Sequence, residues 1–181
     1  MNRFACSLLA LAFAAAFSFA QTQTAAPSIS PVADALRQSL ARNSKNMIAA
    51  VEAMPPEKFS FKPTASQNSY GHLSGHIAES NFRSCSAVSG VAAPEQPKLS
   101  ETDAKDKLVA AVRSSFDFCA SSLAKLDDSH LADSIELFPG RSFTRAAAIL
   151  ILAGSWSDHY SEQAMYLRLN NILPPSAQPQ K

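Results

Sequence analysis

SFTRAAAILILAGSWSDHYSEQAMYLRLN, residues 142–170, is the stretch that decides the predicted fold. It opens with Ser142 and Thr144, which are common helix-start residues, and Pro174 and Pro175 prevent the helix from continuing beyond it. Its apolar residues recur at steps of three and four, which is the period of a helix and not of a strand: Ala146, Ile149, Leu150, Ala153, Trp156, Tyr160, Ala164 and Leu167. The stretch therefore predicts one long helix that crosses a small domain from end to end.

Polar residues interrupt the apolar face of this helix: Ser155, Asp158, His159 and Glu162. Because Ser155 and His159 are four residues apart and His159 and Glu162 three, their side chains project from one side of the helix. A second polar pair, also four apart, lies in an earlier helical segment: His72 and His76. We expect a site where these two helices meet, with Ser155, Trp156 and Tyr160 lining a pocket for a small molecule.

The first twenty residues have the pattern of a signal peptide. A short basic start is followed by an apolar run from Phe4 to Phe19, and small residues precede a cleavage site after Ala20. No later apolar run is long enough to span a membrane. We expect a periplasmic or secreted protein with no membrane segment after cleavage; a retained N-terminal anchor is the alternative.

Proline, glycine and helix-capping residues mark the predicted starts and ends of helices in the remaining chain. The sequence predicts a flexible leader at 21–30, a helical domain at 31–175 and a disordered tail at 176–181. Helix one starts at Ser30-Pro31, helix two runs from about Ser69 to Gly90, and helix three follows a capping signal at 100–103. With four amphipathic helices and no strand pattern, the predicted fold is all-α, an antiparallel four-helix bundle.

Charge and cysteine content limit the functional classes. Loss of Arg3 with the signal peptide leaves 15 basic residues (16 − 1) against 15 acidic ones, and no basic stripe is evident, which excludes a nucleic-acid partner. The expected partners are a small molecule or a metal ion, and a homodimer is open. Cleavage also removes Cys6 and leaves Cys85 and Cys119, which form either one disulfide between two helices or two buried thiols.

The histidines also suggest a divalent metal such as Zn, Ni, Mn or Fe. Such ions take about four ligands from His, Cys, Asp or Glu, and bundles build their sites from facing helices. His76 and His159 are the candidate ligands, with Glu162 or His72 as the third. Asp158 or Glu162 would then act as the base that assists a metal-bound water in hydrolysis. The alternative is that these histidines are hydrogen-bonded cleft residues without a metal.

Four stretches resemble the DinB-like (DinB/YfiT) superfamily of four-helix bundles: MPPEKFSFKPT at 54–64, SYGHLSGHIAESN at 69–81, SFDFCASSL at 115–123 and HYSEQAMYLRLNNILPPS at 159–176. The resemblance covers roughly residues 32–175. It implies a metal-dependent hydrolase or a thiol-dependent transferase, and an exported protein would not meet a cytosolic thiol.

Metal-binding members of this superfamily use one histidine on helix two and an HxxxH pair on the last helix. His76 matches the first of these and His159 the last, while Ser155 stands at the remaining position. The family's usual His-Tyr-Gly-Gln is His159-Tyr160-Ser161-Glu162 here. The resemblance therefore implies either that His72 or Glu162 replaces the third ligand, or that the bundle keeps a polar pocket without metal.

Overall fold

The computed structural model describes residues 28–179, so the predicted signal peptide and most of the predicted leader lie outside the described residues. Four helices form the body of the protein: α1 Pro31–Ala53, α2 Tyr70–Ser89, α3 Lys105–Leu123 and α4 Arg145–Leu169. Two short strands, β1 Ser134–Phe138 and β2 Arg141–Thr144, precede α4. Single 3-10 turns occupy Pro56–Lys58, Asp128–His130 and Pro175–Ala177. The predicted all-α four-helix fold is confirmed.

The directions of the helices follow from which residues meet. Cys85 lies beside Cys119, and Asn81 donates to Ser115, so α2 and α3 run parallel with a constant offset. Lys105 at the start of α3 donates to carbonyls at the end of α1, so those two helices are antiparallel. Antiparallel packing therefore joins α1 with α3 and α2 with α4, while the long 90–104 connection returns the chain to the end where α2 began.

Several predicted helix ends have the expected chemistry. The Ser69 hydroxyl accepts the backbone N–H of His72, and Gly90 ends α2 with a left-handed φ of 76°. Helix α1 starts at Pro31 as predicted, but its free N–H groups are capped from a distant turn. The Asp128 carboxylate accepts the N–H groups of Val32 and Ala33 at 2.9 Å each.

Two predictions about the helix starts are wrong. The sequence predicted helix from Ser142 and no strands, whereas residues 134–144 form an antiparallel hairpin and α4 starts at Arg145 with the Thr144 hydroxyl as its cap. The hairpin escaped detection because its strands are short and only Leu137 is fully buried. The capping signal at 100–103 folds as a turn, and α3 starts after Ala104.

The core is one contiguous cluster with contributions from all four helices. The disulfide between Cys85 and Cys119 lies in it, with both residues fully buried and Cα atoms 5.3 Å apart. The structure thus selects the disulfide over the two free thiols and ties α2 to α3. Across residues 28–179, none of the helices is both long enough and apolar enough to span a membrane.

Candidate functional site

A cleft of about 380 Å³ opens between the start of α2 and the second half of α4. We call it the α2–α4 cleft. Polar side chains predominate among the residues that line it: Ser66, Gln67, Asn68, His72, Leu73, His76, Asp158, His159, Glu162, Met165 and Tyr166. The predicted meeting of the two polar helix faces is therefore present, and His72, His76, Asp158, His159 and Glu162 share one cavity.

Imidazole rings from α2 and α4 meet across this cleft. The rings of His76 and His159, which we call the facing imidazole pair, have centroids 5.1 Å apart and meet edge to face. His72 stacks one helical turn away on α2, with its ring nearly parallel to that of His76 and their centroids 6.4 Å apart. This separation follows from the spacing of four residues, which places both rings on the same face of α2.

The protein favours the neutral form of both members of the facing imidazole pair. Burial lowers the pKa of His76 below its usual value, and the charges of Arg83 and His72 lower it further. Burial also lowers the pKa of His159, with His76 as the next cause. Each ring has a serine neighbour: Ser80 Oγ lies 3.3 Å from Nε2 of His76, and Ser155 Oγ lies 3.4 Å from Nδ1 of His159. Neutral rings can both donate and accept hydrogen bonds to a ligand.

Two carboxylates line the α4 side of the cleft. Asp158 and Glu162 are one turn apart, and the ion pairs within residues 28–179 join other side chains. Burial, and then the charge of Asp158, raises the pKa of Glu162. Burial and the charge of Glu162 likewise raise the pKa of Tyr166. The cleft thus concentrates negative charge that the described residues do not neutralise.

The structure places the three predicted pocket residues outside the cleft lining. Trp156 is buried in the core, where its indole N–H donates to Asn81 Oδ1 at 2.8 Å. The Tyr160 hydroxyl accepts the N–H of Ser176 and so anchors the C-terminal segment. Ser155 contacts the cleft only through its neighbour His159. These residues follow the helical period, but α4 is covered on more than one side, so period alone did not identify the face toward α2.

Other lining residues were not recognised from the sequence. Tyr166 closes one end of the cleft and donates from its hydroxyl to the carbonyl of Asn68 at 2.6 Å, which fixes the loop before α2. Gln67 and Asn68 face the cavity from that loop. Tyr166 lies one turn beyond Glu162, and this spacing could have identified it as a residue of the same helix face. No sequence pattern placed the loop.

The two glycines beside the histidines serve the packing of the chain itself. A Cβ on Gly71 would lie 2.3 Å from the carbonyl oxygen of Glu101, so the 90–104 connection lies directly against the first turn of α2. The Glu101 carboxylate also accepts the hydroxyl of Ser69 at 2.7 Å. This contact holds the end of α2 that carries His72 and His76.

The donor set fits a divalent metal only in part. Two imidazoles converge, but the third position is held by a serine hydroxyl, which is a poor ligand for Zn and similar ions. In the part of the chain from 28 to 179, no three His, Cys, Asp or Glu side chains converge closely enough to hold a metal ion.

Comparison with known proteins gives a family model described as the DinB superfamily, which matches residues 39–162. Among solved structures, a DinB-like protein from Bacillus cereus has a TM-score of 0.64 and 13% identity, covering 78% of this chain and 95% of that one. The DinB-like protein YjoA from Bacillus subtilis has a TM-score of 0.63 and 19% identity, covering 81% and 99%. At these identities the two structures show a shared fold. No curated protein sequence matches significantly.

Proposed function

This chain belongs to the DinB superfamily, and on that premise we propose that it is an exported protein that binds a small cationic molecule in the α2–α4 cleft. One observation carries the proposal: two carboxylates that form no ion pair within residues 28–179 and a facing imidazole pair surround a single cavity. The volume of about 380 Å³ falls within the usual range of small-molecule sites.

Export is supported by two independent features of the chain. The first twenty residues have the basic, apolar and small-residue regions of a signal peptide. The disulfide between Cys85 and Cys119 is a bond that persists in oxidising compartments and is rare in the cytosol. Both features favour a periplasmic or secreted location.

The charge of the cleft favours a ligand with an ammonium group. Burial lowers the pKa of both members of the facing imidazole pair and so favours their neutral forms, whereas burial and the charge of Asp158 raise the pKa of Glu162. A cation between the two carboxylates would relieve this repulsion, and it would lower the pKa of Glu162. The neutral imidazoles and the Tyr166 ring would contact the remainder of the ligand through hydrogen bonds and apolar surface.

A thermal-shift screen with matched compound classes tests this proposal. Small primary amines should raise the midpoint of thermal unfolding, because a ligand that binds only the folded state stabilises it. Alcohols and carboxylates of the same size should not. Asp158→Asn and Glu162→Gln should abolish the shift, while Asp117→Asn, which removes an exposed carboxylate on α3, should keep it. Absence of any amine effect, or equal loss in Asp117→Asn, would contradict the proposal.

A divalent-metal hydrolase is the second candidate, and the approach of His76 and His159 to 5.1 Å favours it. It would need Glu162 or His72 to move and complete the ligand set, with Asp158 or Glu162 as base. Titration of the untagged protein with Zn, Ni, Mn or Fe distinguishes the two candidates. Stoichiometric metal uptake that His159→Gln abolishes would favour the hydrolase, whereas no uptake would remove it.

A further inference from the structure

We propose that a second site, at the end of the bundle opposite the α2–α4 cleft, binds a small oxyanion such as a phosphate or carboxylate group. This site, which we call the basic cleft, has a volume of about 450 Å³. The C-terminal ends of α2 and α3, the first residue of α4 and the 3-10 turn before the hairpin line it. Its basic side chains are Lys125 and Arg145, and the His130 imidazole lies beside them.

One carboxylate, Asp127, belongs to the lining of the basic cleft, but it accepts hydrogen bonds from Ser129 and forms no ion pair with Lys125 or Arg145 within residues 28–179. Asp127 accepts both the N–H and the hydroxyl of Ser129, and these hydrogen bonds hold its pKa below the usual value. Asp128 caps the first turn of α1. Asp133 pairs with the His130 ring at 3.0 Å. Within residues 28–179, the ion pairs therefore leave Lys125 and Arg145 without a carboxylate partner.

The guanidinium of Arg145 has hydrogen-bond donors that the described part of the protein does not use. Its side chain is partly buried, and one guanidinium nitrogen donates to the carbonyl of Val88 at the end of α2. Its Nε–H is buried and has no acceptor among the described residues. The bond to the Val88 carbonyl caps the end of α2, but it gives no role to the Nε–H. A buried donor without an acceptor costs free energy, and the guanidinium of Arg145, which lines the basic cleft, has further N–H donors that can bind an oxyanion there.

The chemistry of the lining selects the ligand. The hydroxyls of Ser89, Ser121 and Ser122 already donate to carbonyls of their own helices, so their protons are not available to an oxyanion. The remaining donors are the fork of Arg145 and the ammonium of Lys125, which suit planar or tetrahedral oxyanions. The opposite sign of charge separates this site from the α2–α4 cleft.

Calorimetric titration of the purified protein at low ionic strength tests the site, with inorganic phosphate, a phosphate monoester and a dicarboxylate as separate probes. We expect saturable binding of at least one probe with a Kd of about 1 mM or tighter, and weaker binding as salt is added. Preference for inorganic phosphate over the monoester, or the reverse, identifies whether the free ion or an anionic group on a larger molecule is the ligand.

Three variants make the titration decisive. Arg145→Gln should weaken binding about tenfold or more, and Lys125→Gln several-fold, because each removes a charge-assisted donor. Lys125 is exposed, so its variant reports on binding even if Arg145→Gln impairs folding. Arg141→Gln removes a hairpin cation that stacks on Phe138 and Phe143 outside the basic cleft, and it should bind normally. No saturable binding of any probe, or equal weakening by Arg141→Gln, would overturn the proposal.

Discussion

Alanine at Gly71 should destabilise the protein, whereas alanine at Gly75, one turn along the same helix, should not. Both glycines are buried in α2 on the side that faces the 90–104 connection. At Gly71 an added Cβ would lie 2.3 Å from the Glu101 carbonyl oxygen and 3.4 Å from that of Phe59. At Gly75 its nearest neighbour would be the Cβ of Leu99 at 3.7 Å, an ordinary contact distance.

The magnitude follows from these distances. The Gly71→Ala clash is with backbone and requires the connection to retreat by roughly 1 Å, which at typical overpacking costs destabilises by about 1–3 kcal/mol. The retreat would also disturb the hydrogen bond from Ser69 to Glu101 and the cap of α2. Replacing glycine by alanine in a helix also stabilises it by up to about 1 kcal/mol. At Gly71 this gain offsets part of the clash cost, whereas at Gly75 there is no clash to offset. Because the gain in helix propensity is common to both variants, their stabilities should differ by the clash cost alone, about 1–3 kcal/mol.

Urea unfolding followed by far-UV circular dichroism measures this difference, with the disulfide intact in both variants. The corresponding gap in thermal midpoint is about 2–4 °C per kcal/mol for a domain of this size. Amine stabilisation in the thermal-shift screen should also weaken in Gly71→Ala, because that turn carries His72 and His76. Equal stability of the two variants would refute the close approach of the connection to α2.

Three further predictions concern the core and the cleft. Replacing both Cys85 and Cys119 by serine should lower the unfolding free energy by roughly 4 kcal/mol, the loop-entropy value for a separation of 34 residues; an unchanged urea midpoint would contradict it. Trp156→Phe should cost about 1–3 kcal/mol because Asn81 Oδ1 loses its buried donor, and near-neutral urea unfolding would refute this. Replacing the facing imidazole pair by glutamine should reduce the loss of thermal stability between about pH 7 and 5. With folded-state pKa values below the unfolded ones, the unfolded chain takes up protons first as pH falls, so wild-type stability decreases there. An identical pH profile in the variant would contradict that prediction.

Glu162, in the same cleft, gives the unfolding free energy the opposite dependence on pH. The raised pKa of Glu162 means that the folded state binds its proton more tightly than the unfolded state does. Its stabilising contribution is complete below its usual pKa and is lost as pH rises through the raised value. A comparison with Glu162→Gln separates this effect from that of the histidines.

The sequence by itself determined the features that depend on local spacing. Helical period and capping residues gave the four helices, including the Ser69 start and the Gly90 end of α2. The same spacing brought His72 and His76 onto one face and Asp158, His159 and Glu162 onto another. These predictions were possible because side chains three and four residues apart are neighbours in any helix, whatever surrounds it.

Only the tertiary structure decided which face of each helix meets which partner. Trp156 and Tyr160 share the period of the site residues, but one is in the core and the other anchors the C-terminal segment. The parallel pairing of α2 with α3, the Asp128 cap on α1 and the approach of Glu101 to Gly71 all join residues that are far apart in the chain. Such contacts depend on how the helices rotate and pack to bury their apolar surface, and local spacing carries no record of that rotation.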